Sequence, residues 1–478
     1  MAGTTVIRNA AWTVAWDAAT ARHGYRRDID VAFDSDGIVH IGPGFAGTAT
    51  REIDGRGLMV MPGLVDIHAH PFVEPFYRGI REEHGVPEMY MTGLYERSAA
   101  YRPDPAAMRH AAAAAYAELL ASGVTTIADI SAPYPGWLET AADSGLRVVL
   151  APGYASARWR LNSRHRLDYD WDEARGRAGL DAALALIDEA TTHPSGHLSG
   201  MLCPMQIDTC TAELLRDSYA AAEERQLAFT THASQSVTEF NIMVDRHGVT
   251  PLQYAHQLGI LGPRCTIAHA IFVDSHSWLH WWSDRDVALL AETGTSIAHC
   301  PTPFARYGQV LEHFGAYRTA GVNIGLGTDT APHNLLEEMR WALVLARVAA
   351  GDVHAVATAD LFHAATVGGA RALQRDDIGR LAPGAKADLV LVDVTHPLMQ
   401  PARDPLRSLV YTAADRAVRD VFVDGRQLVE DGRVLSIDRA AALAELSEAQ
   451  RRMEADVPET DYAGRHSAEI APLSLPLD

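Results

Sequence analysis

Two histidines one residue apart, His68-Ala69-His70, end an apolar run at 59–68 of this 478-residue sequence. Residues two apart on a strand share a face, so both imidazoles point the same way. Three further groups close later apolar runs: His232, His269 and Asp329. Imidazole nitrogens and carboxylate oxygens are the donors that hold divalent zinc, iron, manganese or cobalt. Four imidazoles and a carboxylate crowded into one place are costly to bury unless a cation holds them. One divalent ion, with zinc the first expectation, is the economical explanation.

These residues need elements that bring them together. Eight short apolar, β-rich runs occupy residues 59–68, 125–129, 147–152, 201–206, 228–234, 265–270, 295–300 and 323–329. Helical segments lie between them, at 106–122, 212–226, 284–293 and 334–349. Near-continuous apolar strands alternating with helices predict a parallel sheet buried on both faces. Eight such units predict an α/β fold, a (β/α)8 barrel with its active site at the C-terminal strand ends. The histidines and the aspartate fall at those ends.

The flanks at 4–60 and 378–435 show short alternating strands with turn signals at Ser35-Asp36-Gly37, Val423-Asp424-Gly425 and Glu430-Asp431-Gly432. They are expected to pair into one small β-sandwich. The expected organisation is therefore 1–62 for one sandwich half, 63–377 for the barrel and 378–436 for the second half. A helix at 439–455 and a tail complete the chain within 437–478.

Composition narrows the function. Hydrophobic residues make up 47% and charged residues 21%, a globular balance. No apolar run approaches the roughly 18–20 residues a membrane span needs, and the N-terminus lacks an export pattern, so a cytoplasmic location is expected. A net charge of −20 repels phosphate backbones and argues against nucleic acid as a partner. Cys203, Cys210, Cys265 and Cys300 follow no spacing pattern, which fits a reducing compartment. Lys386 is the single lysine.

The stretch Pro62-Gly63-Leu64-Val65-Asp66-Ile67-His68-Ala69-His70 resembles the opening motif of the amidohydrolase superfamily. So do Gly123-Val124-Thr125-Thr126-Ile127-Ala128-Asp129, Ala298-His299-Cys300-Pro301-Thr302 and Gly327-Thr328-Asp329. Glu337-Glu338-Met339-Arg340 and Gly384-Ala385-Lys386-Ala387-Asp388-Leu389-Val390 complete the set. Within the superfamily the chain is similar to the branch of guanine and S-adenosylhomocysteine deaminases and triazine hydrolases. The resemblance implies a distorted barrel with a two-part sandwich and one zinc or iron ion held by His68, His70, His232, His269 and Asp329. Bimetallic members commonly bridge their ions through a carbamylated lysine on the fourth strand; here the only lysine lies outside the barrel. The ion would lower the pKa of a bound water from about 15.7 toward about 7. Asp329 would shuttle the proton, and His299 would polarise the substrate or hold the developing oxyanion.

Three departures shape the reading. Where the deaminase pattern continues His-x-x-Glu, this chain reads His232-Ala233-Ser234-Gln235, and a glutamine cannot titrate. Gln235 can hold a substrate by hydrogen bonds, and Glu239 is a poor substitute for the missing acid. Phe304 and Tyr307, after Pro301, are expected either to wall the pocket or to pack below it. The run His276-Ser277-Trp278-Leu279-His280-Trp281-Trp282 would cap an apolar substrate or cover a subunit interface. The long segment at 71–103 carries Phe72, Tyr77, Arg78 and Arg81, where specificity in such barrels resides.

The expected activity is hydrolysis of an amide-, urea- or carbamate-type C–N bond in a small, partly apolar substrate by a homo-oligomeric enzyme. The alternative is an aminohydrolase or dechlorinase of a heteroaromatic ring. A non-catalytic scaffold would lack members of the ligand set, and none is missing.

Overall fold

The computed structural model of the chain describes residues 3–80, 87–312 and 314–477. Eight parallel strands follow one another in chain order around a single sheet. They are β1 (Leu64–Ala69), β2 (Val124–Ser131), β3 (Arg147–Tyr154), β4 (Leu198–Pro204), β5 (Ala228–Ala233), β6 (Cys265–His269), β7 (Ser296–His299) and β8 (Asn323–Leu326). Almost every residue in them is buried, as expected where helices cover the outer face. The sheet closes through a parallel bridge between Ala69 and Asp329. Gly327 permits that closure, because a Cβ there would stand 2.6 Å from the His68 carbonyl oxygen. This is the expected (β/α)8 barrel.

The apolar run at 59–68 divides into two strands. Leu58–Pro62 pairs antiparallel with Leu389–Asp393 in the sandwich, and β1 begins only at Leu64. Gly63 is the crossing point. Its N–H donates to the Asp388 carbonyl at 2.9 Å, and a Cβ there would lie 2.0 Å from Thr125 Oγ1. Hydropathy alone cannot see this break, since both strands are apolar.

The sandwich is composite. One sheet holds Thr5–Ala10, Ile29–Phe33, Ile38–Gly42 and Arg51–Asp54, all from the N-terminal flank. The other interleaves N-terminal strands with Leu389–Asp393, Val418–Val423 and Arg426–Glu430 from the far end of the chain. Ile7, Val31, Val60 and Leu391 fill the space between them, and Phe33 meets Phe422 edge-on at 5.2 Å.

Among the helices, α1 (Leu94–Ala100) lies in the long segment after β1 and α2 (Met108–Ala121) follows it. Then come α3 (Val237–His247), α4 (Pro301–Arg306), α5 (Leu335–Ala350) and α6 (Arg439–Thr460). The last extends beyond the expected end at 455 and lays Leu446, Met453 and Val457 against Ala111, Ala114 and Phe76. One element was not foreseen: an antiparallel hairpin, Ala157–Ser163 with Arg166–Trp171, after β3. Its mixed charged and aromatic alternation is too short to separate from a loop in sequence. Trp159 Nε1 and Tyr169 Oη both donate to Asp208 Oδ2, at 2.9 and 2.6 Å, and pin it over the barrel mouth. Among the described residues, no helix is long and apolar enough to cross a membrane.

Barrel and sandwich meet at a buried ion cluster. Arg147, starting β3, places Nη2 3.2 Å from Asp388 and 2.9 Å from Asp424. Lys386 joins it, its Nζ 3.6 Å from Asp424, inside the sandwich rather than the barrel. Breaking one partner of a buried pair strands the others without solvent. Arg147→Met is expected to destabilise the chain by roughly 3–5 kcal/mol, read as a lowered midpoint of thermal or urea unfolding; an unchanged midpoint would show that the cluster is solvated.

Candidate metal centre

His68 is wholly buried at the end of β1, at the centre of a group of imidazoles. Its ring centroid lies 5.1 Å from that of His70, 4.8 Å from His232 and 4.9 Å from His269. The Asp329 carboxylate completes the group, at 3.4 Å from His70 Nε2, 3.7 Å from His68 Nε2 and 3.9 Å from His269 Nε2. One donor atom from each of His68, His70 and His232 falls within 4.8 Å of the other two; the same holds for His68, His269, Asp329 and the Cys300 thiol. All five residues singled out in the sequence therefore converge. Cys300 was not anticipated at the centre, and burial pushes its thiol well above the usual range, keeping it protonated.

The hydrogen bonds behind the rings choose their tautomers. His70 Nδ1 lies 2.7 Å from the Ile130 carbonyl and His232 Nδ1 lies 2.5 Å from the Met205 carbonyl. A carbonyl only accepts, so each Nδ1 carries the proton and each Nε2 offers its lone pair to the centre. Burial, reinforced by His70, holds His232 down at about 3, and burial holds His70 down at about 4. His68 and His269 are pushed well below the usual value by burial and then by their neighbouring imidazoles. All four rings are thus neutral at pH 7, the form that binds metal. Both ring nitrogens of His68 are buried and lack a hydrogen-bond partner among the described residues. Buried polar atoms are rarely left so, and a divalent cation fits this donor set.

Asp329 is held from both sides. Its N–H donates to the His68 carbonyl at 2.8 Å and its own carbonyl accepts from His70 N–H at 3.2 Å. Its φ of 58° is left-handed, a conformation aspartate tolerates better than most residues, and strain of this kind gathers at functional sites. Burial pushes its carboxyl up to about 7, with Arg97 and Arg306 pulling the other way. Beneath it Asp66 accepts from His68 N–H at 3.0 Å and from Thr328 Oγ1 at 2.7 Å, tying the ends of β1 and β8 together.

His70, His232, His269 and Asp329 form the floor of a cavity of about 380 Å³, with His68 beneath them. Phe304 on α4 and Tyr307 just beyond it stand on its wall, which decides their placement in favour of the pocket. Trp159 of the hairpin and Phe72, Tyr77 and Tyr101 add further aromatic surface. Gln235 also borders the cavity and donates from Nε2 to Gln206 Oε1 at 2.5 Å. Glu239 on α3 does not reach the cavity. It is fully buried, and its two oxygens accept from the N–H groups of Ser234 at 2.6 Å and Gln235 at 3.3 Å. Burial pushes this carboxyl well up.

His299 ends β7 and is buried beside the group, its ring 5.6 Å from Phe314 and its Nδ1 without a partner among the described residues. It stands behind the cavity wall rather than on it. The tryptophan run also lies off the cavity: Trp278 and Trp282 are 46% and 82% exposed, and Trp281 packs on Phe240. Arg81, with Glu82, Glu83 and His84, lies outside the described residues. Glu74, Arg97 and Arg102 are charged wall residues that sequence reasoning missed, and Arg97 is the more deeply set of the two cations. Its isolated Glu96-Arg97 context carries no signal beyond membership of the long segment.

The profile described as "Amidohydrolase family" matches residues 59–428. A 5-methylthioadenosine/S-adenosylhomocysteine deaminase of Natronomonas pharaonis is 30% identical over 423 residues, covering 88% of this chain and 92% of the relative. A 5'-deoxyadenosine deaminase of Methanothermobacter thermautotrophicus is 29% identical over 407 residues, covering 84% and 89%. Among solved structures, zinc-complexed atrazine chlorohydrolase from Arthrobacter aurescens superposes with a TM-score of 0.80 at 25% identity, covering 93% of this chain and 100% of that one.

The Glu239 bonds imply a structural test. Glu239→Ala leaves two buried N–H groups without acceptors, at roughly 1–3 kcal/mol each, and loosens the turn that carries His232 and Gln235. Lower thermal stability and weaker metal retention are expected together; wild-type values for both would show that the turn holds without this carboxylate.

Proposed function

The chain belongs to the amidohydrolase family, and on that premise we propose that His68, His70, His232, His269 and Asp329 hold one divalent ion, zinc, at the barrel mouth. The observation that carries this is His68, buried with both ring nitrogens unpartnered among the described residues in the midst of three other neutral rings. When bound, such an ion supplies Lewis acidity that makes a water nucleophilic near neutral pH.

The side chains do the rest. Asp329 is the carboxylate at the cavity floor; among the described residues the other acid on the wall, Glu74, is engaged by Arg97 at 2.8 Å. Asp329 accepts a proton from the attacking water and delivers it to the departing nitrogen. Gln235 cannot titrate, so it carries no proton; one N–H of its Nε2 is engaged by Gln206 and the amide serves to hold the substrate. His299, buried beside the group but not on the cavity lining, acts on charge that develops there through its neighbours rather than by touching the substrate. The aromatic walls exclude water and select a small, partly apolar molecule. With a single titrating group at the floor, the favoured reaction is hydrolysis of an amide-, urea- or carbamate-type bond.

A second reading is supported by the two curated relatives, named as a 5-methylthioadenosine/S-adenosylhomocysteine deaminase and a 5'-deoxyadenosine deaminase, and by the aromatic walls. In it, Gln235 binds a heteroaromatic ring whose amino group or chlorine is displaced. Product tells the two apart: a released amine and acid against ammonia or chloride.

We also infer a homo-oligomer. Trp282 is largely exposed, and Trp341, Val344 and Val348 form an exposed apolar stripe along α5 at helical spacing. The four cysteines are buried and unbridged, which supports the reading of a cytoplasmic enzyme.

Purified protein is expected to carry about one ion per chain, measured by elemental analysis. Asp329→Asn should cut turnover by about 10²–10⁴-fold, and His299→Asn by roughly 10²–10³-fold; full activity of the Asp329 variant with metal bound would remove it as proton carrier. Gln235→Glu should keep its metal, and gain of ammonia release from aminated heteroaromatics in that variant would favour the second reading.

A further inference from the structure

Two side-chain amides, Gln206 and Gln235, border the metal cavity together with His232. We propose that they act as one specificity edge, which reads an N–H and a carbonyl held cis in a ring, so that the substrate is a cyclic amide or cyclic urea. The proposal deepens the hydrolase reading and rests on it only for which bond reacts.

Backbone bonds fix where both amides stand. Gln206, just beyond β4, pairs with His232 through a parallel bridge. On either side of it, His232 N–H donates to the Met205 carbonyl at 3.1 Å and Ile207 N–H donates to the His232 carbonyl at 3.0 Å. Gln235 lies three residues after His232, on the turn that Glu239 holds. Both amides are thereby tied to the strand end that carries one of the metal ligands.

Gln206 and Gln235 are only 9% and 3% exposed, so their polar atoms have little water to turn to. They meet through one bond, Gln235 Nε2 to Gln206 Oε1 at 2.5 Å. The Gln235 amide also donates to the Glu239 carboxyl behind the cavity. An amide offers two N–H donors and one carbonyl. The pair therefore leaves over the Gln206 amino group and the Gln235 carbonyl, neither with a partner among the described residues. Because the two amides touch, this spare donor and spare acceptor stand next to each other. Such an edge among aromatic walls is costly to leave unmatched, and it fixes how a ligand lies.

The complement is an N–H and a carbonyl oxygen on the same side of one molecule. An open-chain secondary amide is trans and turns the two to opposite sides, and its cis form is strongly disfavoured. A small ring imposes cis without that cost. Trp159 and Phe304 on the cavity wall suit the flat face of such a ring.

The test titrates zinc-loaded full-length enzyme by calorimetry with three flat, hydrolysis-resistant probes. They are 2-quinolone, with cis N–H and carbonyl, 1-methyl-2-quinolone, which lacks the N–H, and 2-aminoquinoline, an amino group beside a ring nitrogen. 2-Quinolone is expected to bind at least about tenfold more tightly than its N-methyl form. That preference should shrink at least about fivefold in Gln206→Met/Gln235→Met, and Gln206→Met alone should weaken 2-quinolone at least about fivefold, with metal content and unfolding midpoint close to wild type in both. Equal binding of 2-quinolone and its N-methyl form by the wild-type enzyme, or binding of neither, overturns the proposal. So does a preference that survives the double substitution, since it would then report crowding of the methyl group or contact with the metal. Tighter binding of 2-aminoquinoline than of 2-quinolone overturns the choice of a cyclic amide. None of these readouts involves turnover, so they stand or fall apart from the Asp329 test.

Discussion

The structure depends on how the barrel closes. The first and last strands meet through two backbone hydrogen bonds, Asp329 N–H to the His68 carbonyl and His70 N–H to the Asp329 carbonyl. Asp66 reinforces them by bonding Thr328, 262 residues away in the chain. These bonds lie at the very residues that carry the imidazoles and the carboxylate. A shift of one residue in that register would turn the His68 and His70 side chains toward the outer helices, because side chains alternate along a strand. Fold closure and site assembly are one event.

Burial then sets the chemistry. Removing four imidazoles from water lowers their basicity, so they remain neutral, while the same burial raises the carboxyl of Asp329. The centre is therefore a cluster of lone pairs with few protons, suited to a cation. Acids nearby are spent on architecture. Glu239 holds the turn after β5, and Glu338 on α5 accepts from Thr302 N–H at 3.1 Å, fixing the start of α4 and with it Phe304. What remains free for proton transfer at the floor is Asp329.

The roof is built differently from the floor. The hairpin after β3 and helix α1 come from long connections and meet through Tyr95 and Trp159 with ring centroids 4.8 Å apart; Asp208 anchors the hairpin. Rigid strand ends place the reacting groups, and longer connections place what selects the molecule. Arg97 belongs to this second layer, as do Tyr77 and Tyr101.

Barrel class, strand-end histidines and the glutamine at 235 were legible in the sequence because they rest on local rules. Apolar runs of strand length alternate with helices, and donor residues sit at the ends of those runs. The division at Gly63, the hairpin at 157–171 and the cavity walls were not legible, because each depends on what packs opposite. Asp208 fixes the ring of Trp159 at the cavity, and the tryptophan run at 276–282 lies off the cavity, with Trp278 and Trp282 exposed, although its composition suits a pocket. Pattern along the chain determines which residues face inward; contacts between segments hundreds of residues apart decide which inward residues share one cavity, since those distances exist only once the barrel has closed.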